Sequence, residues 1–174
     1  MRWSSVVRQC RFDCVRVDLF GLSNMLFMLL FPVLSCVAAL VLTVTGAPGQ
    51  VAVSVYGGVC GMAAVMSWMS ALSVNVAEES GGHRAMNGMI PIARTSQVAG
   101  RFLFLLVTCA MWTVDVMACS VFFAFGDMMD SGWAGAMIPS AVIFAFSLIV
   151  GSILMAFSYR FTFRAMMRIF VVVI

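Results

Sequence analysis

Four long apolar segments constrain the fold of this 174-residue chain more than any other feature of its sequence. A helix needs about 20 consecutive apolar residues to cross the hydrocarbon core of a bilayer. Each segment reaches that length, and the predicted spans are residues 22–44, 51–77, 102–125 and 137–159. We therefore predict an all-α, polytopic membrane helical bundle with four complete transmembrane helices.

The composition leaves no room for a separate soluble domain, because 63% of the residues are hydrophobic and only 10% are charged. We predict a single membrane domain over residues 1–174. A shorter apolar run, residues 169–174, follows Arg160, Arg164 and Arg168 at the C-terminus. We interpret it as the start of a truncated fifth helix.

The ten basic residues are all arginines, and they alternate along the chain. Four precede the first span, three lie between the second and third spans, and three follow the fourth span. The other two connections have none. By the positive-inside rule, the N-terminus, the loop 78–101 and the C-terminus are expected in the cytoplasm, in a multi-pass protein of the cell (plasma) membrane. A net charge of +3, dispersed in this way, argues against a nucleic-acid partner.

The first 20 residues combine four arginines with large apolar side chains such as Trp3, Phe12 and Val15. This mixture predicts an interfacial elbow helix that lies on membrane lipid at the cytoplasmic surface. The alternative is a plain charged tail that only orients the first span.

No catalytic constellation is present in the sequence. The chain has no lysine, so it has no P-loop, and its one histidine, His83, has no obvious nucleophile beside it. Cys10 and Cys14, one helical turn apart, could form half of a metal site, but no second cysteine pair completes it. We therefore predict no catalytic residue, no cofactor and no metal site, and a protein that is not an enzyme.

Asp115 is the one acid deep inside a predicted span. A carboxylate at that depth is costly unless it faces a partner or water. One interpretation is a role in a polar pathway or proton relay. The interpretation that we favour is a mostly protonated acid hydrogen-bonded to a group such as Thr113, Ser70 or Asn75.

Small residues recur at helical spacing in two spans. Gly57 and Gly61 form a Gly-x-x-x-Gly step in the second span, and Ser147 and Gly151 repeat the spacing in the fourth. Such faces allow helix backbones to approach closely, so we predict that these four residues lie on helix-packing faces.

The loop 78–101 carries the densest polar sequence in the chain. It begins with Glu78-Glu79, continues with Gly88-Met89-Ile90-Pro91-Ile92-Ala93-Arg94-Thr95, and ends with Val98-Ala99-Gly100-Arg101. Together with the charged N-terminal elbow and the two preceding spans, this loop resembles the permease subunits of type-2 ATP-binding-cassette exporters, in particular the small bacterial stand-alone permeases. Those proteins have an acidic pair, a short coupling segment and a basic residue that opens the third span.

The resemblance implies an exporter in which a separate ATP-binding-cassette ATPase subunit hydrolyses ATP. It implies that the loop transmits movement of that subunit to the helices, in a homodimer or heterodimer of permeases moving an unidentified substrate. The candidate residues for the ATPase contact are Glu78, Glu79, Arg84, Arg94 and Arg101.

The competing hypothesis is a structural or regulatory integral membrane protein without transport activity. In that case the same arginines serve only as topological anchors. A membrane enzyme is a third class, but it would need paired acids or histidines at the ends of spans, which the sequence lacks.

Overall fold

The computed structural model describes residues 3–80, 93–125 and 132–160, and this part of the chain consists of five α-helices without a strand. The all-α class predicted from the sequence is thereby confirmed. The helices are α1 (Trp3–Arg16), α2 (Leu22–Thr45), α3 (Gly49–Ser80), α4 (Arg94–Phe125) and α5 (Gly132–Arg160).

Four of these helices, α2 to α5, are long and apolar enough to cross a membrane. Their apolar side chains are widely exposed: Leu22 is 77% exposed, Val44 79% and Val114 66%. Surfaces of this kind are stable against lipid and unstable against water. The chain is therefore a multi-pass membrane protein.

The helices α3 and α4 extend beyond the predicted spans into the predicted loop 78–101. The second span continues to Ser80, and α4 begins at Arg94 rather than at Phe102. Hydropathy misses these turns because they are polar, while their backbone is helical and, at Gly100 and Arg101, buried. The centre of the loop, residues 81–92, and the predicted fifth helix at 169–174 lie outside the described residues.

The connection between α2 and α3 is short because α2 ends on Gly46, whose φ of 61° is left-handed. The N–H group of Gly46 donates to the carbonyl oxygen of Thr43 at 3.2 Å, and that of Ala47 donates to Leu42 at 3.0 Å. These two bonds satisfy carbonyl groups at the end of the helix. Glycine adopts this backbone conformation without the steric cost of a Cβ atom.

The chain divides into two compact units. Unit 1 comprises Met1–Phe20, Trp68–Thr108 and Leu148–Ile174, and unit 2 comprises Gly21–Ser67 and Cys109–Ser147. The core of unit 2 is aromatic and cysteine-containing; its members include Phe31, Tyr56, Cys60, Trp112, Cys119 and Phe123. In unit 1, Leu72 and Leu154 pack together with Trp68 and Val150.

Candidate functional site

The helix α1 carries a row of polar side chains on one face in unit 1. Gln9, Asp13 and Arg16 are four and three residues apart, which places them on neighbouring turns of the same face. Gln9 and Asp13 are buried, and Gln9 Nε2 donates a hydrogen bond to Asp13 Oδ1 at 3.1 Å. The buried side of α1 is therefore a protein-packing face. Trp3, Phe12 and Val15 remain exposed, as an elbow lying on lipid would require.

Gly100 allows α1 to approach α4 closely. A Cβ atom at this position would lie 2.6 Å from Gln9 Cβ and 3.1 Å from the backbone oxygen of Val6. Any larger residue at position 100 would have to displace α1 or α4. This close approach places the next residue, Arg101, near the polar row on α1.

Glu78 in the last turn of α3 joins α1 and α4. Its Oε1 atom accepts a hydrogen bond from Arg16 Nη1 at 2.6 Å and a second one from Arg101 Nη2. Glu78 is 5% exposed and Arg101 is 8% exposed, so their ion pair is buried, whereas the pair of Glu78 with Arg16 is partly buried. An acid at the C-terminal end of a helix is opposed by the helix dipole, and the two arginines offset that effect.

Asn75 extends the network to α5. Its Oδ1 atom accepts a hydrogen bond from Arg101 Nη1 at 2.9 Å, and its Nδ2 group donates to Ser158 Oγ at 3.0 Å. The guanidinium of Arg101 also lies 5.5 Å from the centre of the Tyr159 ring, within the range of a cation–π interaction. Four helices of unit 1 thus meet in one network, which we call the ion-pair cluster. Its members are Asp13 and Arg16 on α1, Asn75 and Glu78 on α3, Arg101 on α4, and Ser158 on α5.

Asp13 is the most enclosed member of the ion-pair cluster, with no exposed surface. Its Oδ2 atom has no hydrogen-bond partner among the described residues. Burial raises the pKa of Asp13 to about 6, although Arg101, the hydrogen bond from Gln9 and Arg16 all act to lower it. Glu78 adds a smaller upward effect on the pKa. Burial therefore outweighs the neighbouring arginines, and the Asp13 carboxyl group is harder to ionise than an exposed one.

The structure describes four of the five residues predicted for the ATPase contact. Glu78 and Arg101 lie together, but they are buried and paired with each other, so they do not present a surface to another protein. Their contact with an ATPase stays a prediction; among the described residues, the polar ends of α3 and α4 pack against α1. Arg94 is exposed and Glu79 is half-buried. Arg84 lies outside the described residues.

Asp115 is half-buried in unit 2, and its Oδ2 atom has no hydrogen-bond partner among the described residues. Thr113, one of its predicted partners, donates instead to the backbone oxygen of Cys109 at 2.7 Å. The amide of Asn75 is occupied in the ion-pair cluster. The Oδ2 atom of Asp115 thus makes no hydrogen bond within the described residues, and the predicted hydrogen bond of this side chain stays a prediction.

The small residues of α3 and α5 differ in their surroundings. Gly57 and Gly61 are exposed, and a Cβ atom at either position would meet nothing within 4 Å, so no described residue packs on them. In unit 1, by contrast, Gly151 is in close contact with Leu105, whose Cδ1 atom would lie 2.6 Å from an added Cβ. Ser147 is 1% exposed, in agreement with a packing position.

Cys10 and Cys14 are buried on α1 as free thiols. Burial raises the pKa of the Cys10 thiol to about 12 and also raises that of Cys14. A thiol must lose its proton to bind a metal, so this environment disfavours metal binding. Within residues 3–80, 93–125 and 132–160 no three His, Cys, Asp or Glu side chains are grouped to hold a metal ion.

Sequence reasoning missed Asp13, Arg16, Asn75, Ser158 and Tyr159 as parts of a site. The spacing of Gln9, Asp13 and Arg16 was a usable signal, because three polar residues at helical spacing within an otherwise apolar and basic segment predict a common partner. No comparable signal marks Asn75 or Ser158. Their role depends on which helices become neighbours.

No protein-family model, curated protein or solved structure matches this chain. The functional argument therefore depends on the residues themselves.

Proposed function

We propose that this chain is the permease subunit of an ATP-binding-cassette exporter in the cell (plasma) membrane, with its N-terminus in the cytoplasm. A separate ATPase subunit supplies ATP hydrolysis, and two permeases form the homodimer or heterodimer that moves the substrate. The observation that carries the proposal is the ion-pair cluster, because it ties α1 to three membrane-spanning helices beside the segment that resembles the coupling loop.

The cluster provides a physical route for such coupling. Residues 81–92 connect the C-terminal end of α3 to the N-terminal end of α4, and Glu78 and Arg101 stand on either side of this connection. A displacement applied between them acts on two helices that a buried ion pair holds together. Breaking such a pair by removing one partner costs about 3–5 kcal/mol, so the two helix ends and α1 move as one body.

The exposed residues leave a narrower ATPase contact than the sequence predicted. Arg94, the first residue of α4, is exposed at the edge of the connection, and Glu79 is half-buried beside the buried Glu78. In this proposal Arg94 belongs to the contact with the ATPase, while Glu78 and Arg101 transmit the movement without touching the partner.

Co-purification in detergent of the tagged chain with the product of a neighbouring ATP-binding-cassette gene tests the proposal. We expect the wild-type chain to capture the ATPase and Arg94→Glu to capture much less of it. Arg8→Glu is the matched control, since Arg8 is an exposed arginine on α1 and is not among the predicted contact residues. If the wild-type chain captures no ATPase, and a version extended beyond Ile174 captures none either, the exporter proposal fails in favour of a structural or regulatory membrane protein.

A further inference from the structure

Two stripes of side chains face each other in unit 2. On α2, Phe27, Phe31 and Ser35 follow one another at intervals of four residues. On α4, Trp112, Asp115 and Cys119 are three and four residues apart, so they also share one face. Phe31, Trp112 and Cys119 belong to the same buried core, which brings the two stripes together.

The part of this interface formed by Phe27, Phe31 and Trp112 is aromatic. The ring centres of Phe31 and Trp112 are 5.3 Å apart at an interplanar angle of 87°, and those of Phe27 and Trp112 are 6.3 Å apart at 75°. Phe27 is 41% exposed, so the aromatic group reaches the surface of the unit. Aromatic ring faces attract cations, most strongly when water is excluded.

The adjoining turns are polar. Ser35, 1% exposed, interacts through its side chain with the Cys119 thiol on α4. One turn before Cys119, the Oδ2 atom of Asp115 is enclosed and has no hydrogen-bond partner among the described residues. An unbonded carboxyl oxygen therefore lies one turn from both Trp112 and Cys119, inside a segment long enough to span the membrane.

No positive charge of unit 2 itself can neutralise Asp115. The sequence of Gly21–Ser67 and Cys109–Ser147 contains no arginine, lysine or histidine, and all ten arginines of the chain belong to unit 1. Charged groups at membrane depth are found where they meet an opposite charge, a water-filled path or a ligand.

We propose that Phe31, Ser35, Trp112 and Asp115 form a binding site for an amphipathic organic cation, such as a lipophilic ammonium or phosphonium ion. Asp115 supplies the counter-charge, the aromatic rings contact the apolar substituents, and Ser35 lines the site beside the Cys119 thiol. A bare metal ion suits the site poorly, since the described residues bring no three metal-binding side chains together. The proposal concerns binding alone, so it does not depend on the exporter role.

Equilibrium binding of tetraphenylphosphonium to the purified chain in detergent tests this site. Tetraphenylborate has the same shape and the opposite charge, and it is the matched probe. We expect saturable binding of the cation by the wild-type chain, a loss of about tenfold or more in affinity for Asp115→Asn, and retained affinity for Asp115→Glu. Trp112→Leu should also weaken cation binding. None of these changes should alter the weak binding of tetraphenylborate.

A second measurement uses the wild-type chain alone, in case Asp115→Asn does not fold. Dicyclohexylcarbodiimide modifies protonated carboxyl groups in apolar surroundings, and mass spectrometry locates the modified residue. Tetraphenylphosphonium should protect Asp115 from the reagent, whereas tetraphenylborate should not. The proposal is overturned if the wild-type chain shows no saturable cation binding, if a folded Asp115→Asn binds the cation as tightly, or if both probes protect Asp115 equally.

Discussion

The Asp13 side chain makes the stability of the folded chain depend on pH, because α1 buries its carboxyl group. Its carboxyl group is fully buried and only one of its oxygen atoms is hydrogen-bonded within the described residues. The ionised form gains from Arg101 and Arg16, yet desolvation outweighs that gain and raises the pKa of Asp13. A buried charge that is incompletely satisfied destabilises a fold, and protonation removes that effect.

The stability of the chain should therefore carry a pH-dependent contribution from Asp13. Its pKa rises from 3.8 to about 6 in the folded chain, so between these values the folded state holds a proton that the unfolded state has lost. This contribution stabilises the fold below about pH 4 and is lost as the pH rises to about 6; its upper limit is about 3 kcal/mol. Asp13→Asn keeps a neutral side chain at every pH.

Thermal unfolding of the wild-type chain and of Asp13→Asn, compared in detergent at several pH values, measures this effect. We expect the melting temperature of the wild-type chain to fall relative to that of Asp13→Asn as the pH rises from about 4 to about 6. Asp18→Asn is the control, because Asp18 is exposed and its φ of 53° is one that asparagine tolerates. A difference that stays constant with pH, or that grows in the opposite direction, would contradict the argument.

The helix α1 differs from a simple interfacial helix in what it buries. Residues 1–20 were predicted to lie on lipid, and an exposed apolar face with Trp3 and Phe12 agrees with that. The opposite face, however, packs on the other helices of unit 1 through Val6, Gln9 and Asp13. The close approach at Gly100 fixes this packing, because there is no room there for a side chain.

Replacing Gly100 by alanine should loosen α1. The added methyl group meets Gln9 Cβ at 2.6 Å, and overpacking of this kind costs about 1–3 kcal/mol. Gly57→Ala is the matched control, because its added Cβ enters open space and alanine favours a helix by about 0.5–1 kcal/mol over glycine. We expect faster hydrogen exchange of the α1 amides in Gly100→Ala and unchanged exchange in Gly57→Ala. Equal exchange in both would show that Gly100 does not set the position of α1.

Hydropathy predicted the spanning helices well, because the requirement for apolar residues acts on each segment separately. The helix α4 begins eight residues before the predicted span 102–125, since the segment from Arg94 to Arg101 is polar and its burial depends on contact with α1. The ion-pair cluster could not be assembled from sequence for the same reason. Asn75 and Ser158 are 83 residues apart, and nothing local indicates that they are bonded.

At the scale of the whole molecule, the positively charged residues are confined to one of the two units. Unit 1 holds all ten arginines, and unit 2 holds none, although it contains Asp115. This division is the structural counterpart of the arginine alternation from which we infer the topology. It gives the two units different chemistry: a network of ion pairs in unit 1, and an apolar, aromatic core beside Asp115 in unit 2.

The central claim is that the ion-pair cluster couples an ATPase to the membrane helices, and the ATP hydrolysis rate of the complex tests it most directly. The chain and the ATPase would be co-reconstituted in lipid vesicles with either the wild-type chain or Glu78→Gln. We predict that the wild-type chain changes the hydrolysis rate from that of the free ATPase. Glu78→Gln should still bind the ATPase, since Arg94 is intact, but should leave the rate near that of the free enzyme. Identical rates for the wild-type and Glu78→Gln complexes would contradict the coupling role of the cluster.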